Sequence, residues 1–73
     1  MNITEAKSLK VGDTVTLETP WLKYTARVRK VPDFDRSALV GLTLVKVVKN
    51  NTTSFRREPG AKTQGHFRNL TKG

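Results

Sequence analysis

Seventy-three residues make one small domain (1–73), in which folding buries only about 60% of the surface an unfolded chain exposes. The absence of cysteine excludes a disulfide framework and a thiolate nucleophile, and one histidine, His66, cannot build a polyhistidine metal site. Fourteen Lys and Arg against six Asp and Glu leave a formal net charge of +8, so apolar packing and sheet hydrogen bonds must hold the fold beneath a strongly positive surface.

The charge is lopsided. Residues 1–35 hold five of the six carboxylates, whereas residues 36–73 hold Arg36, Lys46, Lys49, Arg56, Arg57, Lys62, Arg68 and Lys72 against Glu58 alone. A positive field over one side of a small domain selects polyanions as partners, nucleic acid first. The start of the chain has no basic n-region followed by an apolar h-region. No apolar run approaches the ~20 residues that span a bilayer. The expectation is a cytoplasmic protein with no membrane partner.

In chain order, residues 1–9 read as a lead-in, with Thr4 as N-cap of one helical turn and Ala6 and Leu9 on a shared face. Lys10-Val11-Gly12-Asp13 is a turn. Thr14–Glu18 alternates, with Val15 and Leu17 inward, and Thr19-Pro20 ends that strand. From Trp21 to Val31, Leu22, Tyr24, Ala26 and Val28 share one face, and Lys23, Thr25, Arg27 and Arg29 the other. Pro32–Ser37 is a loop with Asp33 and Asp35 around Phe34, which either plugs the core or stands exposed as a contact.

Ala38–Lys49 is the longest apolar run, and both of its alternating faces are apolar. It is either covered on two sides or bent, and Gly41 is the expected site of a bend or bulge. Laid straight it would exceed roughly 35 Å. Lys49-Asn50-Asn51-Thr52 reads as a tight hairpin turn, since Asn tolerates positive φ, and Thr53-Ser54-Phe55-Arg56-Arg57 as the returning strand. Glu58–Gly65 reads as a polar, mobile loop. Within His66–Gly73, the spacing of Phe67 and Leu70 fits a 3₁₀ turn leading into a very short last strand.

These elements predict an all-β fold: a small, five-stranded, strongly bent antiparallel barrel with a short N-terminal turn of helix. Val11-Gly12-Asp13-Thr14-Val15 resembles the x-G-D-x-V opening of the first strand in SH3-like small β-barrels, the group that holds KOW, Tudor and archaeal chromatin-protein domains. The pattern resemblance runs over roughly residues 9–72. The chain has no second glycine where a KOW motif would end, and too few aromatics for a methyl-lysine cage. The resemblance implies a binding module rather than a catalyst.

One constellation carries a functional reading. Lys23, Arg27 and Arg29 on the second strand, with Lys46, Lys49, Arg56, Arg57 and Arg68 further on, are cations that neighbouring antiparallel strands can gather on one surface. Phosphates attract such charges and release counterions on binding, Arg grips phosphate with two donors, and Trp21 beside them can stack on a base. The plainer reading is that outward cations solubilise the domain and guard sheet edges, and that Trp21 is packing at the rim. A lone His66 reads as structural, and Asp33 with Asp35 as a solvated loop. There is no metal site, no cofactor motif, no phosphate-cradling glycine loop and no nucleophile–base pair.

The leading expectation is thus a non-enzymatic protein that binds DNA or RNA through a basic surface with little sequence specificity. A second is a protein-interaction module of the phage or mobile-element type, docking its basic face on an acidic partner with Phe34 or Trp21 as apolar anchor. A third is a homo-oligomer that buries the second apolar face of the long run.

Overall fold

The computed structural model describes residues 2–53 and 55–72. Its element order is α1 (Ile3–Lys7), β1 (Thr14–Glu18), β2 (Leu22–Lys30), β3 (Leu39–Asn50), β4 (Lys62–His66), a 3₁₀ turn η1 (Phe67–Asn69) and β5 (Leu70–Lys72). The strands form one antiparallel sheet in the order β4-β3-β2-β1-β5. The mostly-β class, the leading helical turn and the 3₁₀ turn before a short last strand all match the sequence reading.

Local chemistry explains each end of the chain. Asn2, not Thr4, caps α1: its Oδ1 accepts from the Glu5 N–H at 2.8 Å while Glu5 Oε1 accepts from the Asn2 N–H at 3.3 Å. That reciprocal pair needs an acid three residues after the cap, which Asn2 has and Thr4, followed by Lys7, has not. Ala6 and Leu9 are both buried. In the turn before β1, Gly12 takes φ +97°, and the Asp13 carboxylate accepts from the Lys10 N–H at 2.9 Å. Residues Met1 and Gly73, in the expected first and last elements, lie outside the described residues.

The core is made by alternation. Val15 and Leu17 of β1, Tyr24, Ala26 and Val28 of β2, Val40, Leu42 and Leu44 of β3, and Leu70 of β5 all turn to one interior with Leu9. Burying each large side chain stabilises the fold by ~1.5–3 kcal/mol relative to leaving it exposed. Phe34 folds back onto this core and meets Phe67 edge-on at 5.6 Å, so it is a plug. Its loop is shaped by Asp33, whose carbonyl accepts from the Arg36 and Ser37 amides.

Three register shifts along the β2–β3 ladder resolve the doubly apolar run. Tyr24 and Ala26 pair with Val47 and Leu44, and between them Val45 has no opposite number; Val48 is left over in the same way between Val47 and Lys49. Each extra residue reverses which face the next one occupies. Val40, Leu42 and Leu44 point inward, and after the bulge the partly buried Val47 takes the inward place that strict alternation would assign to Lys46. The surplus valines, Val45 and Val48, end up exposed. A straight strand of 12 residues would run ~36 Å, beyond the 31 Å longest dimension of the molecule.

Gly41 does not itself carry a bulge. The third shift lies across from it on β2, where Lys30 pairs with Gly41, Val28 with Leu42, and Arg29 is the extra residue. A Cβ on Gly41 would stand 3.0 Å from Lys30 Cβ and 3.2 Å from Arg29 Nη2. Glycine here makes room for two outward cationic side chains.

The return from β3 also departs from the sequence expectation. Asn50 forms no tight hairpin; no described non-glycine residue has positive φ. β3 instead runs on to Asn50, which pairs with Leu22, and the Asn51 N–H donates to the Trp21 carbonyl at 2.7 Å. Asn50 then organises the following loop through its side chain, donating to the Phe55 carbonyl at 2.8 Å and accepting from the Thr52 N–H at 3.0 Å. The described residues of the expected strand 53–57 belong to this loop, and Ser54 lies outside the described residues. The true returning strand is β4, whose Lys62–Gly65 portion reads in sequence as loop. Its entry is fastened by the Leu44 N–H donating to Ala61 and the Gly60 N–H donating to Leu44.

β4 faces the interior with Thr63 and Gly65. A Cβ on Gly65 would lie 2.5 Å from Leu17 Cδ1 of β1. Strands three places apart in the sheet therefore touch across the core, which measures how strongly the sheet bends. Tyr24, 1% exposed, stacks on Phe55 with ring centroids 5.3 Å apart and hydrogen-bonds with Thr63; burial raises its phenol pKa above the ordinary 10.0, with Thr63 and the Arg57 charge opposing the rise.

Candidate nucleic-acid interface

The outer face of the sheet follows from the register. One rung runs Lys62–Thr43–Arg27–Thr14 across β4, β3, β2 and β1. The next runs Lys46–Thr25–Thr16–Thr71 from β3 to β5, and a third runs Lys49–Lys23–Glu18. The cations of these rungs all lie on β2, β3 and β4, with Thr25 and Thr43 among them, while β1 and β5 contribute Thr14, Thr16, Thr71 and Glu18, so the positive field is concentrated rather than spread over the sheet.

Lys23, Arg27, Lys46 and Lys49 therefore lie together, Lys46 because the extra residue Val45 turns it outward. Arg29 joins them at the bulge beside Gly41. Arg57 joins from the loop: its Nε–H donates to the Lys62 carbonyl at 3.2 Å, and its guanidinium stands 6.0 Å from the centre of the Phe55 ring. Trp21 is 63% exposed at the start of β2, where Lys49 Nζ donates to the preceding Pro20 carbonyl at 3.3 Å. Arg56 lies on the loop, its Nε–H bonded to the Thr53 carbonyl at 3.4 Å. Arg68 lies on η1, outside the rungs.

Glu18 touches this surface at the Lys23 edge, and Asp33 shares a cavity with Arg29. Lys23 pairs with Glu18 at 3.6 Å, Arg36 with Asp33 at 3.9 Å and Lys72 with Asp13 at 3.8 Å. These exposed pairs are worth little. Among the described residues, none of them neutralises Arg27, Arg29, Lys46, Lys49, Arg57 or Lys62. Two open cavities lie along the Arg29 side. One, about 440 Å³, includes Arg29 and Lys30 but also Asp33; the other, about 180 Å³, is lined by Arg29, Arg57, Lys62, Thr63 and Gln64.

Lys62 and Gln64 were not legible as site residues. Their inward partners on β4 are Thr63 and Gly65, so no apolar alternation marks the segment as a strand. The only signal is a period-2 alternation of long polar side chains with small ones.

The role of His66 is local. Its Nδ1 accepts from the Arg68 N–H at 3.2 Å, capping η1, and the ring stacks on Phe67 at 4.9 Å. Among the described residues, no three His, Asp or Glu side chains gather to hold a metal ion. No helix among them is long and apolar enough to cross a membrane. Comparison with protein-family models, curated proteins and solved structures yields no match.

Proposed function

We propose that this protein is a non-enzymatic, cytoplasmic nucleic-acid-binding module whose sheet closes as an SH3-like barrel and whose β2–β3–β4 outer face tracks a phosphate backbone. The observation that carries the reading is the concentration of Arg27, Lys46, Lys49 and Lys62 on neighbouring rungs, with Arg29 at the bulge and Arg57 on the loop beside them, none of the six ion-paired with a carboxylate among the described residues. Threonine hydroxyls flank them as neutral donors to phosphate and sugar. Trp21 at one end offers a stacking surface. The closeness of Gly65 to Leu17 across the interior supports closure.

Titration of labelled duplex and single-stranded DNA and RNA over a salt series tests it. The expected result is binding whose log K falls linearly with log salt, by about 0.9 per duplex phosphate contacted and about 0.7 per single-strand phosphate. No binding at low salt, or binding indifferent to salt, overturns it.

A second reading, docking on an acidic protein, is favoured by Trp21 and Val48, both more than half exposed at the Lys23–Lys49 end of the sheet. They would supply an apolar anchor amid cations. Pull-down after nuclease treatment separates the two: a protein retained stoichiometrically supports docking, and loss of every partner argues against it.

A further inference from the structure

Arg29 and Arg57 reach one point of the surface by unrelated routes. Arg29 is the extra residue of a bulge, so it leans over the bare outer side of Gly41 instead of following the strand alternation. Arg57 is held from the loop by three fastenings. Phe55 stacks on Tyr24, the Arg57 guanidinium stands by the Phe55 ring, and its Nε–H is bonded to the Lys62 carbonyl. Between them lies the cavity of about 180 Å³, completed by Lys62 and Gln64 of β4.

We propose that this cavity is a phosphate subsite, in which Arg29, Arg57 and Lys62 bind the oxygens of one phosphoryl group and the Gln64 amide donates beside them. It is an open depression of about 180 Å³, roomy enough for a phosphate. Among the described residues three formal positive charges line it and no carboxylate does, in contrast to the neighbouring larger cavity, where Asp33 is present. With Nε committed to a carbonyl, Arg57 still presents its terminal N–H groups in the planar fork that suits phosphate. The Thr63 hydroxyl is engaged inward with Tyr24, so the wall behind the site is tied to the core, and the Nε–H bond to the Lys62 carbonyl holds Arg57 in place before a ligand arrives. A tetrahedral anion can take a donor from each of the three cations at once, while a carboxylate has only two oxygens to offer.

The inference rests on the nucleic-acid reading for the source of the phosphate, a backbone phosphodiester, but not for the chemistry of the site. The test is a ¹⁵N NMR titration of the whole protein with inorganic phosphate, and with acetate at matched ionic strength as the carboxylate control. Saturable shifts centred on Arg29, Arg57, Lys62 and Gln64, produced by phosphate and not by acetate, are expected. They should vanish in the Arg29→Gln/Arg57→Gln variant and persist in Lys46→Gln/Lys49→Gln, which removes the same charge. Shifts distributed over all the cations, or equal responses to both anions, overturn the subsite. If the arginine variant loses its dispersed spectrum, Lys62→Gln, altered at an exposed position, replaces it with the same expectation.

Oligonucleotide titration then separates the two claims. With duplex DNA the arginine variant should show a salt slope smaller by about 0.9 for one phosphate released from the protein. Unchanged slope with intact nucleic-acid binding overturns the backbone phosphodiester as the ligand of the subsite and leaves the nucleic-acid reading standing. Saturable phosphate binding without any nucleic-acid binding upholds the subsite, assigns its phosphate to a small ligand, and removes the nucleic-acid reading.

Discussion

The two halves of β3 both carry valine and meet opposite fates. Leu39–Leu44 pairs with β2 or β4 residue by residue, and Val40, Leu42 and Leu44 vanish into the core. Lys46–Asn50 pairs with β2 alone, interrupted by extra residues at Val45 and Val48, and displays Lys46, Lys49 and two exposed valines. An apolar run is thus half a core strand and half a support for charge. What separates Val40 from Val45 and Val48 is the pairing of the backbone.

That contrast can be broken by substitution, most strongly in the first half. Leu42→Ala should cost about 2–5 kcal/mol, because a fully buried side chain leaves a cavity, whereas Val48→Ala at the exposed bulge should stay within about 0.5 kcal/mol. Urea unfolding measures both; equal costs would mean that the second half is also core. Next comes the place where β4 leans on β1. Gly65→Ala puts a methyl against Leu17, and overpacking of this kind costs about 1–3 kcal/mol. An unaltered unfolding midpoint would show that the sheet opens there without penalty.

A smaller effect tests the Tyr24 wall behind the cavity. Burial raises the Tyr24 pKa above 10.0, so between the unfolded and folded pKa the unfolded chain sheds the proton first. The stability this proton provides is complete below pH 10 and is lost as pH rises through the folded pKa, with a slope of at most about 1.4 kcal/mol per pH unit. Denaturation of the protein and of Tyr24→Phe from pH 8 to 12 should therefore diverge at the alkaline end, the variant losing less. Parallel curves would place the phenol in water. Smallest in stability, and confined to binding, is Lys46→Gln/Lys49→Gln in the second half: unfolding should move by no more than about 0.5 kcal/mol per site. The salt slope of duplex binding should fall by about 0.9 for each phosphate the variant no longer neutralises. An unchanged slope would leave those lysines as solubilising charges only.

The inward–outward sorting of β1 and β2 was legible residue by residue, because their alternation is clean and a period of two needs no partner to define it. The outward placement of Lys23 and Arg27 followed from it, whereas Lys46 joins them only through the bulge at Val45. The return strand was misplaced because Asn50-Asn51 carries a turn signal that the β2 ladder overrides, through Leu22 and Trp21. β4 was hidden because the position facing the core next to Leu17 has space only for glycine, and glycine announces a loop.

By itself, then, the sequence determined the mostly-β class, the one-turn helix, the short 3₁₀ entry to β5, the core of β1 and β2, and the concentration of positive charge in residues 36–73. These depend on local periodicity, capping chemistry and composition. Only the tertiary structure decided where β3 is bulged, which segment pairs with its first half, and that Arg29 and Arg57 line one cavity with Lys62. Those facts arise from which backbone groups meet between strands far apart in the chain, and a single extra residue in one strand reverses the facing of all that follow it.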